Sequence, residues 1–236
     1  MTLSIIKTYS SDNIDVLNEK LWRDIYYDGN ELTFGDANEP KQAKEIFAVV
    51  QLYGNAIVRL YKGDVPNGWL FRGTAQKVYL FMIKSSDNIS DDDTEGQPYN
   101  YRQRAKHKNQ FKDAVEALRE SIETGIQSNR ICGVIWWPGD LKLKSPPCWQ
   151  WWQARKSDKN NVSLRILFRS HAYDNACFAN WGAIIKAFVD EVIEPAGGVL
   201  EELICVSTSA EIEYSNFDMI EAVVGNIPKH IRRLLK

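Results

Sequence analysis

Histidine is scarce in this chain, with His107, His171 and His230 in 236 residues, and cysteine is hardly commoner, with Cys132, Cys148, Cys177 and Cys205. No two cysteines form a CxxC pair and no histidines stand at ligand spacing, so no metal site is expected. The wide separation of the four thiols gives no disulfide framework either. With so little histidine, a His-based triad has almost nothing to draw on. A Walker loop, a GxGxxG turn, a GxSxG elbow and an HExxH helix are all missing. No apolar run approaches the roughly 20 residues that span a bilayer, and Met1–Ser10 lacks the basic, apolar and small-residue segments of a secretory leader. A net charge of -2 gives no electrostatic reason for a nucleic-acid or membrane partner. These absences lead to an expected cytoplasmic location and a small-molecule or protein partner.

What is present is an ordinary globular profile, 44% hydrophobic and 25% charged, on a chain long enough to bury its own core. A single domain spanning 1–236 is expected. Ile14, Leu17, Leu21 and Ile25 repeat at helical spacing within 12–27, with Ser11 or Asp12 as N-cap. The stretches 45–53, 55–61 and 77–84 read as strands. The acidic run 85–97 reads as a solvated loop. A helix is expected over 109–126, with Phe111, Val115, Leu118, Ile122 and Ile126 inward, and a strand over 131–137. Strands at 148–155 and 162–168 precede a strongly apolar helix at 176–193, ended by Pro195 and Gly197-Gly198. A strand at 199–208, a short helix at 217–224 and a basic helix opened by Pro228 complete the reading. Strands in blocks without regular βαβ alternation place the chain in the α+β class.

Five of the eight tryptophans crowd into 136–152, around Cys148. That cysteine follows Pro146-Pro147 and precedes a tryptophan-rich strand, so it is stiffly held beside aromatic surface. It is a candidate nucleophile, and a thiolate there needs a cationic neighbour to lower its pKa. Arg169 is the natural partner. Arg169-Ser170 ends a strand just before a helix, where a guanidinium fork, a hydroxyl and helix N–H groups can hold a phosphate; pairing with an acidic residue remains the alternative. Asn180 offers a donor and an acceptor together, as reading a pyrimidine edge requires, although most helix asparagines bind only water or backbone.

Ser128-Asn129-Arg130, Trp136-Trp137-Pro138-Gly139-Asp140-Leu141, Pro146-Pro147-Cys148, Arg169-Ser170 and Asn180 together resemble the ordered blocks of thymidylate synthases. The segment from Leu164 to His171 looks most like the short archaeal-type branch, and the similarity runs from about Tyr99 to Asp218. The resemblance implies a thymidylate synthase-like fold with a mixed sheet packed on a long buried central helix, and sheets facing each other in a homodimer. It implies that Cys148 attacks C6 of a pyrimidine nucleoside monophosphate and that C5 then takes a one-carbon unit from 5,10-methylenetetrahydrofolate. Arg169 and Ser170 would hold the 5′-phosphate, with Arg130 reaching the partner's phosphate. Asn180 would read the base, and Trp136 would lie beside folate and base.

The pattern departs from the family at several points. Asn129-Arg130 stands where two arginines are usual, and Arg169-Ser170-His171-Ala172 lacks the acid of the Arg-Ser-x-Asp block, although Asp174 is near. Glu211-Ile212-Glu213 replaces a His-x-Tyr that contacts the ribose, so Glu211 and Glu213 become candidates for the sugar end. Glu45 and Glu31 are the candidates for the catalytic glutamate of the N-terminal half. Three functions follow: a methylase or hydroxymethylase of a cytidylate or ribonucleotide, a divergent synthase acting on deoxyuridylate, or a noncatalytic nucleotide-binding paralogue.

Overall fold

In the computed structural model, which describes residues 5–36, 38–66, 69 and 101–225, the expected α+β class takes the form of one eight-stranded mixed sheet with helices packed on it. The strands are β1 (Ile6–Ser11), β2 (Asn30–Asp36), β3 (Glu39–Tyr53), β4 (Cys132–Val134), β5 (Trp149–Lys156), β6 (Asn161–Phe168), β7 (His171–Ala172) and β8 (Val199–Glu213). The main order is β1-β3-β8-β6-β5-β4, with β2 beside β3 and β7 beside β8. β1 runs parallel to β3 and β6 parallel to β8, while the β3–β8, β5–β6 and β4–β5 pairs are antiparallel.

Alternation along the strands divides the sheet into two faces. Val50, Cys205, Ile166 and Trp152 lie in one row across β3, β8, β6 and β5, and all four are buried. The helix α5 (Cys177–Phe188) belongs to the same core. It is apolar nearly all round, with Phe178, Trp181, Ile184, Ile185 and Phe188 buried, as an interior helix requires. A π-helical turn, Val189–Ile193, continues it. The adjacent row on the other face, Val49, Val206, Leu167 and Trp151, is only half-buried.

Helix α1 (Ile14–Asp28) buries Ile14, Leu17, Leu21 and Ile25 as its spacing predicts, together with Trp22, whose Nε1–H donates to Tyr173 O at 2.8 Å. Its N-cap is Asn13 rather than Ser11 or Asp12, since Asn13 Oδ1 accepts from the N–H of Asp15 at 2.9 Å and of Val16 at 3.5 Å. The expected strand over 55–61 is instead helix α2 (Asn55–Tyr61): Gly54 turns the chain at φ 53°, and Ala56, Ile57 and Leu60 form a helical buried face. A short apolar run carries too little periodicity to tell the two apart. Helices α3 (Tyr101–Lys106) and α4 (Gln110–Thr124) follow, and Gly125 at φ 73° ends α4, which leaves Ile126 70% exposed rather than inward. The strand expected at 131–137 shrinks to β4 because a 3-10 turn, Pro138–Lys142, draws the chain away. β8 continues to Glu213, beyond the expected end at Thr208. Helix α6 (Phe217–Val224) coincides with its expectation. The readings at 77–84, 85–97 and from Pro228 onward lie outside the described residues. Among those described, no helix is long and apolar enough to cross a membrane.

Candidate active site

Cys148 sits immediately before β5, and its backbone is fixed by the first residue of α3 and by the residue that follows β6. Its N–H donates to the Tyr101 hydroxyl at 3.1 Å, and its carbonyl accepts from Arg169 N–H at 2.9 Å. The Arg169 side chain then turns back on the same segment: Nε–H donates to Pro147 O at 3.0 Å and an Nη2–H to Pro146 O at 2.8 Å. Both prolines therefore serve as acceptors that orient the guanidinium. The guanidinium carbon also lies 5.8 Å from the ring centroid of Trp136, within cation–π range. Cys148, Arg169 and Trp136 are thus brought together.

Ser170 follows, and its hydroxyl donates to Glu211 Oε1 at 2.8 Å. Ser209 lies in hydrogen-bond contact with Glu45 Oε2 and, at 3.2 Å, with Glu211 Oε2. Glu45 and Glu211 are direct partners across the β3–β8 pair. A continuous hydrogen-bonded path therefore leads from Ser170 to a pair of carboxyl groups.

The electrostatics of Cys148 differ from the expected activation. Burial pushes its thiol above the ordinary value; the Arg169 guanidinium opposes this, the Glu211 carboxyl adds to it, and the Ser170 hydroxyl eases it. The cation is in place and desolvation still outweighs it. Burial also raises Glu211, against hydrogen bonds from Ser170 and Ser209, and the negative charges of Asp174 and Glu45 push in the same direction.

Asn180, 8% exposed, belongs to a separate buried polar cluster with His171 and Ser207. Its Nδ2–H donates to His171 Nε2 at 3.5 Å, and His171 Nδ1 contacts Ser207 Oγ at 3.2 Å. If Nε2 accepts, Nδ1 carries the proton and donates to Ser207. The imidazole stacks on Phe168 at 3.9 Å and 3°, and complete burial lowers its pKa to about 3. It is therefore neutral at physiological pH.

Other candidates lie elsewhere. Glu213 is held by Lys41, Nζ to Oε1 at 3.0 Å, and is not brought to Cys148. Asp174 is buried at the end of β8, accepting from Glu213 N–H at 3.1 Å and Asn216 Nδ2–H at 2.7 Å. Glu31 is exposed in β2. Arg130 is exposed before β4, its backbone N–H 3.4 Å from Ser128 Oγ, and it is not part of the Cys148 group. Sequence reasoning did not find Tyr101, Ser207 or Ser209, since nothing local in the chain marks a residue that acts across strand pairings.

No family model matches the chain. Individual relatives do. A protein of Methanosarcina acetivorans named "putative thymidylate synthase" is 31% identical over 169 residues, covering 71% of this chain and 74% of its own. One of Methanosarcina mazei with the same name is 26% identical over 204 residues, 86% of this chain and 88% of its own. The crystal structure of thymidylate synthase from T4 phage matches with a TM-score of 0.58 at 14% identity, over 89% of this chain and 81% of that one, and shares the fold. The chain belongs to the thymidylate synthase family.

Proposed function

We propose that the chain transfers a one-carbon unit to C5 of a pyrimidine nucleoside 5′-monophosphate through a covalent bond between Cys148 Sγ and C6. The observation that carries this reading is the convergence of Cys148, Arg169 and Ser170, with Glu211 behind them. Addition of the sulfur to C6 moves the C5=C6 electron pair toward C5 and the ring carbonyl, which makes C5 the nucleophile; one hard substitution becomes two easier steps. Arg169 and Ser170 bind the phosphate, and that anion draws the guanidinium partly from its two proline carbonyls. Asn180, its amide turned by His171, reads the base. The half-buried indole of Trp136 beside a guanidinium suits a flat pterin, so 5,10-methylenetetrahydrofolate would lie against it and supply the one-carbon unit.

Glu211 in place of a ribose-contacting histidine supports a cytidylate or ribonucleotide as substrate, with methyl or hydroxymethyl as the group left on C5. Glu213, held by Lys41, takes part at the sugar end only if that ion pair opens. The half-buried row Val49–Val206–Leu167–Trp151 supports a homodimer in which this face meets its copy, and Arg130 then serves the partner's phosphate.

The test is covalent trapping. Wild type, incubated with 5-fluoro analogues of UMP, dUMP, CMP and dCMP and methylenetetrahydrofolate, should gain the adduct mass on the Cys148 peptide with at least one nucleotide, and Cys148→Ser should gain none. Product analysis on the four parent nucleotides then identifies base, sugar and product. Absence of any adduct from wild type would leave a nucleotide-binding paralogue without catalysis.

A further inference from the structure

His171 and Asn180 meet in the interior, with Asn180 Nδ2 at 3.5 Å from His171 Nε2 and the two residues 8% and 2% exposed. On its other side the imidazole contacts Ser207 Oγ through Nδ1 at 3.2 Å. Ser207 Oγ also meets the Tyr173 hydroxyl at 3.2 Å and Cys205 Sγ at 3.7 Å. Ser207, Tyr173 and Cys205 are fully buried, so none of them trades partners with bulk water. Stacking on Phe168 fixes the plane of the ring, and the neutral imidazole has a proton on one nitrogen and a lone pair on the other.

One arrangement places the protons of this cluster with Nδ2 where the structure has it. Asn180 donates to Nε2, so Nδ1–H donates to Ser207 Oγ. The Tyr173 hydroxyl, whose side chain makes no other hydrogen bond among the described residues, donates to the second lone pair of Ser207. The Ser207 hydroxyl then donates to Cys205 Sγ. Turning the Asn180 amide over would set Oδ1 against the lone pair of Nε2, and relieving that clash would require His171 and Ser207 to reverse as well.

We infer that His171, kept in its Nδ1–H form by Ser207, is a positioning residue that locks the Asn180 amide in one sense and so sets the choice between uracil and cytosine. The inference rests on Asn180 contacting the base, as proposed above. A primary amide has two N–H groups, so Nδ2 gives one to His171 and keeps the other, with Oδ1, for the ligand. Uracil presents N3–H as donor and O4 as acceptor, whereas cytosine presents N3 as acceptor and its N4 amino group as donor. The two bases therefore demand the amide in opposite senses. An amide free to turn over serves either base; a locked one matches the first and sets donor against donor and acceptor against acceptor in the second. At 2% exposure, His171 acts through Asn180.

Nitrogen-15 NMR of histidine-labelled protein, with His171 assigned from the signals missing in His171→Asn, should show Nδ1 protonated and Nε2 bare at pH 7. Calorimetry with UMP, dUMP, CMP and dCMP should show that wild type favours one base over the other on the same sugar by at least about tenfold, the worth of one buried hydrogen bond. His171→Phe keeps a ring against Phe168 but neither accepts nor donates, and Ser207→Ala keeps the imidazole but removes the group that fixes its proton. Either variant should bring the base ratio to within about threefold of unity, whereas a merely structural role would weaken all four nucleotides alike. If one variant fails to fold, the other and the wild-type spectrum decide. A protonated Nε2 in wild type overturns the inference, as does a wild type that binds both bases equally. If a fluoropyrimidine adduct forms while the folded variants keep the wild-type base ratio, the role of His171 alone fails. If wild type binds no pyrimidine nucleotide, the transfer reading fails and this role with it.

Discussion

Arg104 binds both carboxyl oxygens of Asp140, at 2.7 and 3.0 Å, with the two side chains only 7% and 5% exposed. The same guanidinium donates to Ile135 O at 2.9 Å and lies 4.3 Å from the centroid of Trp137, while Asp140 accepts from Trp137 N–H at 2.7 Å. The pair therefore holds the turn that carries Trp136 to Arg169. Removing one partner strands a buried charge, so Asp140→Asn should lose about 3–5 kcal/mol in urea denaturation, while a Met/Leu replacement of both residues should recover much of it. Burial opposes ionisation of Asp140, but the Arg104 and Trp137 hydrogen bonds overcome this and hold its pKa below 3.8. Its contribution is thus present above that value and lost as pH falls through the lower folded one. A loss below ~1 kcal/mol in Asp140→Asn would remove the pair from the account of stability.

His171 sets a second acid limit. Its folded pKa of about 3 lies below the ordinary 6.5, so between those values the unfolded chain binds a proton that the native chain does not. Native stability should therefore fall as pH drops from 6.5 toward 3, by about 1.4 kcal/mol per pH unit in mid-range from this group alone. His171→Asn, which cannot titrate, should show a decline between pH 6.5 and 4 that is smaller by about 3 kcal/mol. Parallel pH–stability curves for the two proteins would mean that native His171 takes up its proton at the ordinary pKa.

The helices α1, α5 and α6 and strands β5, β6 and the first part of β8 were legible because each repeats its apolar residues at its own period over enough length. α2 was not, since seven residues with three buried positions fit either period. In the site, Cys148, Arg169 and Ser170 could be read as neighbours because two adjacent strand ends carry them. The link from Ser170 through Glu211 and Ser209 to Glu45 depends on the register of β3 against β8, with a bulge between Ile46 and Ala48, and sequence spacing contains no such register. The raised thiol pKa was hidden for a similar reason: a cation can be anticipated from the residue order, but the amount of water that packing removes cannot.

Arg169 orients the Pro146-Pro147 segment and is proposed to hold the phosphate, and its variants should separate the two. Arg169→Ala removes the proposed charge-assisted phosphate contact and should weaken nucleotide binding by about 2–4 kcal/mol in calorimetry. Arg169→Lys keeps the charge but not the fork that spans Pro146 and Pro147, so binding should recover in part while adduct formation stays slow. Full recovery of both by lysine would show that orientation of the prolines contributes nothing.

The last prediction concerns the sheet face away from α5. Val49, Val206, Leu167 and Trp151 are in register across four strands, apolar and half-buried, with Ile204 and Phe47 also half-buried on β8 and β3. A row of this kind across the middle of a sheet leaves the hydrophobic effect unsatisfied unless a second surface covers it, and a copy of the same face can do so by two-fold symmetry. Leu167→Glu places a charge at the centre of that row without touching the buried row of Ile166, so it should yield a folded monomer in light scattering, where wild type should scatter as a dimer at micromolar concentration. Because Arg130 is proposed to serve the partner's phosphate, the monomer should also bind nucleotide more weakly, by roughly the 1–3 kcal/mol of one charge-assisted contact. Arg130→Ala should lose the same amount in the dimer and nothing further in the Leu167→Glu background. Wild type scattering as a monomer would remove both the dimer and the cross-subunit duty of Arg130.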